Sequence, residues 1–232
     1  MALPLLICLG SANAIAASVR GKIAGQQHLR NPVWFEAKSP DRHGYSFREP
    51  VTTVPAELRR LTPDVTKEIV VVAFGRDAGK AAPVSVKVAG GRTDPVTLVV
   101  LPGTEIRFNN GDPFTHRLFG VELQTFPPAP MNKGASRRWT AKEAGTYEFR
   151  DELAPSIRSW IVAKPGVVAV AYPDSGGEFS LSLDAGDYEL QAYFAGAPVG
   201  RARAVKVGRR AVNLTRKPLV VATKARAKRA KK

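Results

Sequence analysis

Short runs of β-branched residues, cut by Gly- and Pro-containing turns and free of any long helical periodicity, confine this chain to a mostly antiparallel β architecture. Lys67 to Phe74 (KEIVVVAF) and Val96 to Leu101 (VTLVVL) are unbroken apolar runs of buried-strand length. Val84, Val86 and Val88 alternate with Ser85 and Lys87, the period of a strand with one face in a core. Val19–Ile23 and Pro32–Ala37 read as two opening strands around a polar turn. A length of 232 residues allows one large or two small domains, and 44% hydrophobic with 24% charged residues is ordinary for a globular protein.

The most informative stretch runs from Leu101 to Val162. Pro102-Gly103 turns into an alternating strand, Glu105-Ile106-Arg107-Phe108. Asn109-Asn110-Gly111-Asp112-Pro113 then makes a tight polar loop that delivers His116. Arg137-Arg138-Trp139 enters a strand with Trp139 toward the core, and Met131, in a Pro-rich loop, reads as either gap-filling or exposed. Gly145-Thr146-Tyr147-Glu148-Phe149 forms the next strand, and Arg158 to Val162 closes the series.

This order of elements resembles the plastocyanin-like, or cupredoxin, family, in which the His after the Asn-Asp-Pro loop is a copper ligand. The resemblance implies a Greek-key β-sandwich. It also implies that the remaining ligands come from a Cys-x2-His-x2-Met run before the last strand. Here Asp151 stands at the Cys position, Ala154 at the second His and Ile157 at the Met, as Ala154-Pro155-Ser156-Ile157 aligns with His-Pro-x-Met. A blue-copper site needs a thiolate and two imidazoles. Only His116 remains, and the one cysteine is Cys8. The expectation is a vestigial site at His116, Asp151, Ala154 and Ile157, with no cofactor and blue-copper electron transfer lost. The resemblance also implies that His116 and Asp151 meet in the fold.

Beyond Val162 the chain alternates again. Val167 to Tyr172, Glu178 to Leu183 and Tyr188 to Tyr193 are strands separated by Pro173–Gly177 and Asp184–Asp187 turns. Asp-x-x-Gly-x-Phe followed by Ala-Gly-x-Tyr-x-Leu is similar to carboxypeptidase-regulatory-like modules, which have a transthyretin-like, carbohydrate-binding-like sandwich. The expected fold class is therefore all-β: a cupredoxin-like sandwich over 18–163, with a long loop at 38–66, and a small β module over 164–215.

The ends carry the remaining signals. Residues 1–17 (MALPLLICLGSANAIAA) have the apolar core and small-residue sites of a signal peptide, implying a periplasmic or secreted protein with no spanning segment in its mature form. The formal charge is +15, and from Gln191 onward there is no Asp or Glu. Residues 216–232 read as a disordered basic tail, either solubilising or an anchor for a polyanion through Lys224, Arg226, Lys228, Arg229, Lys231 and Lys232. The tail has no aromatic groups for stacking on bases, so nucleic acid would be held only non-specifically.

Nothing in the chain reads as an enzyme. His28, His43 and His116 are not in His-Glu-x-x-His spacing, Gly-x-Ser-x-Gly is absent, and Gly75–Lys80 lacks phosphate-loop spacing. The expected function is non-catalytic binding of a protein partner or an anionic envelope polymer. The alternative is a copper-handling protein with a non-blue site built around His116.

Overall fold

The computed structural model describes residues 16–32 and 63–223. Residues 1–15 of the expected signal peptide, all but Pro32 of the second opening strand, most of the 38–66 loop and the six tail cations fall outside them, whereas Ala17, the last residue of that expected peptide, is described, buried and opens the first strand.

The described residues form four four-stranded sheets. In the first, β1 (Ala17–Ala24) lies between β12 (Glu178–Leu183) on one side and β15 (Val212–Asn213) and β16 (Leu219–Val220) on the other. The second has the order β11 (Val167–Ala171), β2 (Ile69–Phe74), β13 (Gly186–Phe194), β14 (Ala197–Val207). The third runs β5 (Thr97–Val100), β10 (Arg158–Ala163), β9 (Gly145–Asp151), β7 (Leu118–Gly120). The fourth runs β4 (Arg92–Asp94), β3 (Val84–Ala89), β6 (Thr104–Asn110), β8 (Ser136–Ala141).

These sheets stack as four layers around three apolar cores. Val19, Ile23, Phe179 and Leu181 of the first sheet pack on Val71, Ala73, Leu190 and Val205 of the second. The opposite face of the second sheet, through Val70, Val72 and Tyr193, packs on Val99 and Val162 of the third. The third then turns Leu98, Phe149 and Ile161 toward Val86, Ile106, Phe108 and Trp139 of the fourth. The two middle sheets are thus covered on both faces where they meet. That is why IVVV, TLVV and WIVA read as continuous runs while β3 and β12 alternate. The alternation expected to continue to Tyr193 stops at Leu190, because Gln191 and Tyr193 are also buried.

The all-β class and the two sandwiches stand as the sequence indicated. The way the chain supplies them does not follow the linear order. β1 and β2, grouped by the sequence reading with residues before 163, pair with β12, β13 and β11 beyond 166. Such pairings are non-local and leave no local trace. One residue does record them: an added Cβ on Gly21 would lie 2.3 Å from the ring of Phe179, its partner across β1–β12. Glycine there lets the ring lie over the strand. The disordered tail expected from 216 also starts too early. Leu219 and Val221 are buried, at 5% and 3% exposure, and β16 runs parallel to the end of β1. A two-residue strand flanked by Lys217-Pro218 and basic residues has too little apolar sequence to stand out.

Candidate functional site

The site lies at one end of the sandwich formed by the third and fourth sheets, where the loop after β6 meets the end of β9. Asn110, buried at the end of β6, shapes that loop. Its Nδ2 donates to the carbonyls of Phe114 and Met131, both at 2.8 Å, and its Oδ1 accepts from the Asp112 N–H at 2.8 Å. This is the short-range side-chain turn that the Asn-Asn-Gly-Asp-Pro run encodes. The main chains of His116 and Met131 then exchange two hydrogen bonds, at 3.1 and 2.8 Å. Met131 is buried in the core, so of the two readings it is the gap-filler.

His116 is fully buried between two carboxylates. Its Nε2 lies 3.1 Å from Oδ2 of Asp112 in a hydrogen bond. Its Nδ1 lies 3.2 Å from Oδ2 of Asp151, close enough for an ion pair but off the hydrogen-bond axis. A carboxylate oxygen at that distance repels a nitrogen lone pair and attracts an N–H.

Each carboxylate is fixed independently of the imidazole. Asp151 ends β9, and its Oδ1 accepts the N–H groups of Leu153 and Ala154 at 2.7 and 2.8 Å. Its Oδ2 accepts the Arg117 N–H at 3.0 Å. Asp112 accepts the Gly90 N–H at 3.0 and 3.1 Å. That N–H, opposed by desolvation and assisted by His116 and Lys87, holds the Asp112 carboxyl below the usual carboxylate range. The Phe114 ring meets the imidazole edge-on at 5.0 Å. Phe114 and Leu153 remain more than half exposed, at 53% and 58%.

The expected meeting of His116 with Asp151 is present. Ala154 is half-buried against the core, and Ile157 is fully buried within it. Neither supplies a donor atom. His28 stays on a 3-10 turn (Gln26–His28) beside β1 in the other sandwich, exposed and next to Gln27. His43 lies outside the described residues. Among the described residues, no group of three or more His, Cys, Asp or Glu side chains is arranged to hold a metal ion. Sequence reasoning gave Asp112 no role. Its i,i+4 spacing to His116 across a Pro turn is the signal that could have found it.

No protein-family model matches the chain, and no curated protein matches it. Among solved structures, a purple cupredoxin from Nitrosopumilus maritimus aligns with 35% of this chain and 99% of its own, at 18% identity and a TM-score of 0.32. Amicyanin from Paracoccus versutus aligns with 42% of this chain and 99% of its own, at 20% identity and a TM-score of 0.32. A Cu-containing nitrite reductase from Thermus scotoductus SA-01 aligns with 40% of this chain and 25% of its own, at 25% identity and a TM-score of 0.33.

Proposed function

We propose that this chain is an exported, non-catalytic β protein that binds a partner, and that the position of a cupredoxin copper is taken over by an imidazole–carboxylate contact. One observation carries the reading: the 3.2 Å approach of His116 Nδ1 to Asp151 Oδ2, with both side chains fully buried. A blue-copper centre needs a soft thiolate for the metal's potential and two imidazole lone pairs to hold it. The residues present do not fit such a centre. Asp151 offers oxygen in place of sulfur, its Oδ2 already accepts a backbone N–H, and Nε2 of His116 is engaged by Asp112. Ala154 and Ile157 offer nothing.

The export assignment rests on the apolar, small-residue pattern of residues 1–17. Among the described residues, no helix is long and apolar enough to cross a membrane. Residues 164–215 are read as a carboxypeptidase-regulatory-like accessory module, supported by the alternation of β12 and of the first half of β13 and by the Gly-bearing turns before them.

A second reading rests on the off-axis geometry of Nδ1, which lacks an aligned hydrogen bond. In that reading Nδ1 and Asp151 are two donors of a non-blue copper site. Titrating the purified protein with Cu(II) by calorimetry separates the two. The proposed function expects no stoichiometric binding. A one-to-one isotherm abolished by His116→Gln overturns it in favour of the second reading.

A further inference from the structure

The C-terminal sandwich has one strongly basic edge, and the edge is grooved. The described residues 191–223 contain seven Lys and Arg and no Asp or Glu. Among the described strands β14 pairs only with β13, and between Arg203 and Val199 it carries two residues more than its partner does between Leu190 and Ala192. This bulge, with Gly200 at φ 71°, pushes Gly200 to Arg203 out toward β16, the strand on the matching edge of the facing sheet. Bulges on edge strands re-aim side chains and block pairing with another strand. Between the bulge and Pro218–Thr223 lies a groove of about 680 Å³.

Its cations are not neutralised. Arg203 spans the groove, its guanidinium donating to the carbonyls of Lys217 and Pro218, and so fixes the two walls. Arg201 at the bulge apex, with Arg216 and Lys217 at one mouth, is exposed and has no acidic partner among the described residues. Lys206 differs, since it faces Asp187 across the β13–β14 register. The opposite end of the groove is formed by Ala222 and Thr223.

We infer that this groove is a docking site for a linear acidic polysaccharide, a chain of sugars bearing carboxylate or sulfate groups. The inference rests on the binding reading above and gives it a partner class. Free guanidinium groups pair with carboxylate and sulfate through two parallel N–H donors. A concave, narrow groove accepts a single polymer strand, whereas a bilayer needs a flat face and apolar residues to insert. Val220 is the one large apolar side chain exposed beside this groove among the described residues. No aromatic residue lines it to stack on bases, which disfavours a nucleic acid strand.

The test uses the full-length protein and a heparin-derived octasaccharide as probe, with a DNA duplex and phosphatidylglycerol vesicles as comparison ligands. Arg201→Gln with Lys217→Gln is compared with a charge-matched control, Lys80→Gln with Lys133→Gln, on the other sandwich. The groove pair should lower octasaccharide affinity about tenfold, leave the comparison ligands within about twofold, and unfold in urea at the parent midpoint. The control pair should bind as the parent does. Equal losses in both variants, or equal losses for all three ligands, would reduce the effect to net charge and overturn the site, as would an unchanged octasaccharide affinity. Any of these beside a blank copper titration removes the groove and leaves the proposed function standing.

Discussion

Nδ1 of His116 lies 3.2 Å from Oδ2 of Asp151, and neither side chain is exposed to solvent. Asp151 also accepts three backbone N–H groups, from Arg117, Leu153 and Ala154. Asp151→Ala therefore strands a buried imidazole on one side and three donors on the other. Breaking one partner of a buried pair costs about 3–5 kcal/mol, so urea unfolding should show a loss in that range. Asp151→Asn retains an acceptor for the loop and should cost less. A loss below about 1 kcal/mol for Asp151→Ala would mean that the contact does not organise the site.

Asp112 gives the site a pH dependence of definite sign. Its carboxyl is held below its ordinary value in the folded chain, chiefly by the Gly90 N–H. The stability this contributes is fully present above the unfolded value, about pH 4. It is lost as pH falls through the lower folded value. Glu68 has the opposite sign, because burial raises its carboxyl and favours the protonated form in the folded state. Urea midpoints measured from pH 6 down to pH 2 should therefore fall less steeply for Asp112→Asn than for the parent. Parallel acid limbs would remove Asp112 as a source of the dependence.

The alignment of Asp151, Ala154 and Ile157 with copper-ligand positions can be tested by building those ligands in. Asp151→Cys, Ala154→His and Ile157→Met together restore a thiolate, an imidazole and a thioether beside His116. Ile157→Met is close to volume-conserving and costs under about 1.5 kcal/mol in a core. Replacing Asp151 gives up its three backbone hydrogen bonds, so the variant should be less stable than the parent. With Cu(II) it should develop an intense visible thiolate-to-copper band that the parent lacks. A folded, colourless triple variant would mean that these positions do not converge.

The sequence was legible where local chemistry decides structure. The Asn110 turn, the placement of His116, the alternating strands β3 and β12, and the buried runs of β2 and β5 all follow from residue type and spacing. What it concealed is non-local. An unbroken IVVV run indicates burial on both faces without naming the second face, which here belongs to the other sandwich. In the site, Asp112 was read as turn chemistry, because an Asp before Pro suits a loop whether or not it also meets a histidine.

The pairing of β1 with β12 makes its own prediction. Gly21→Ala places a methyl group against the Phe179 ring, where the added carbon would sit 2.3 Å away. Overpacking of this kind costs about 1–3 kcal/mol. Adding Phe179→Leu should recover part of the loss, although a leucine beside the parent glycine is itself destabilising. Such coupling across 158 residues of sequence is expected only if the first strand completes the C-terminal sandwich. Additive losses would place β1 elsewhere.

The last prediction concerns where the folded chain ends. β16 pairs with the end of β1, and Leu219 and Val221 sit in the same core as Val19, Phe179 and Val207. The carbonyls of Lys217 and Pro218 also receive the Arg203 guanidinium. Ending the chain after Lys217 removes both apolar side chains and one of those acceptors, and leaves Ile23 and Ala24 of β1 without their parallel partner. Fully burying a Leu or Val is worth about 1.5–3 kcal/mol each, so that truncation should lower the urea midpoint substantially. Ending the chain after Thr223 removes six cations and no described core residue, and should leave the midpoint where it was. If both truncated chains unfold together with the parent, β16 adds nothing to the sandwich. If both unfold early, residues 224–232 belong to the fold as well.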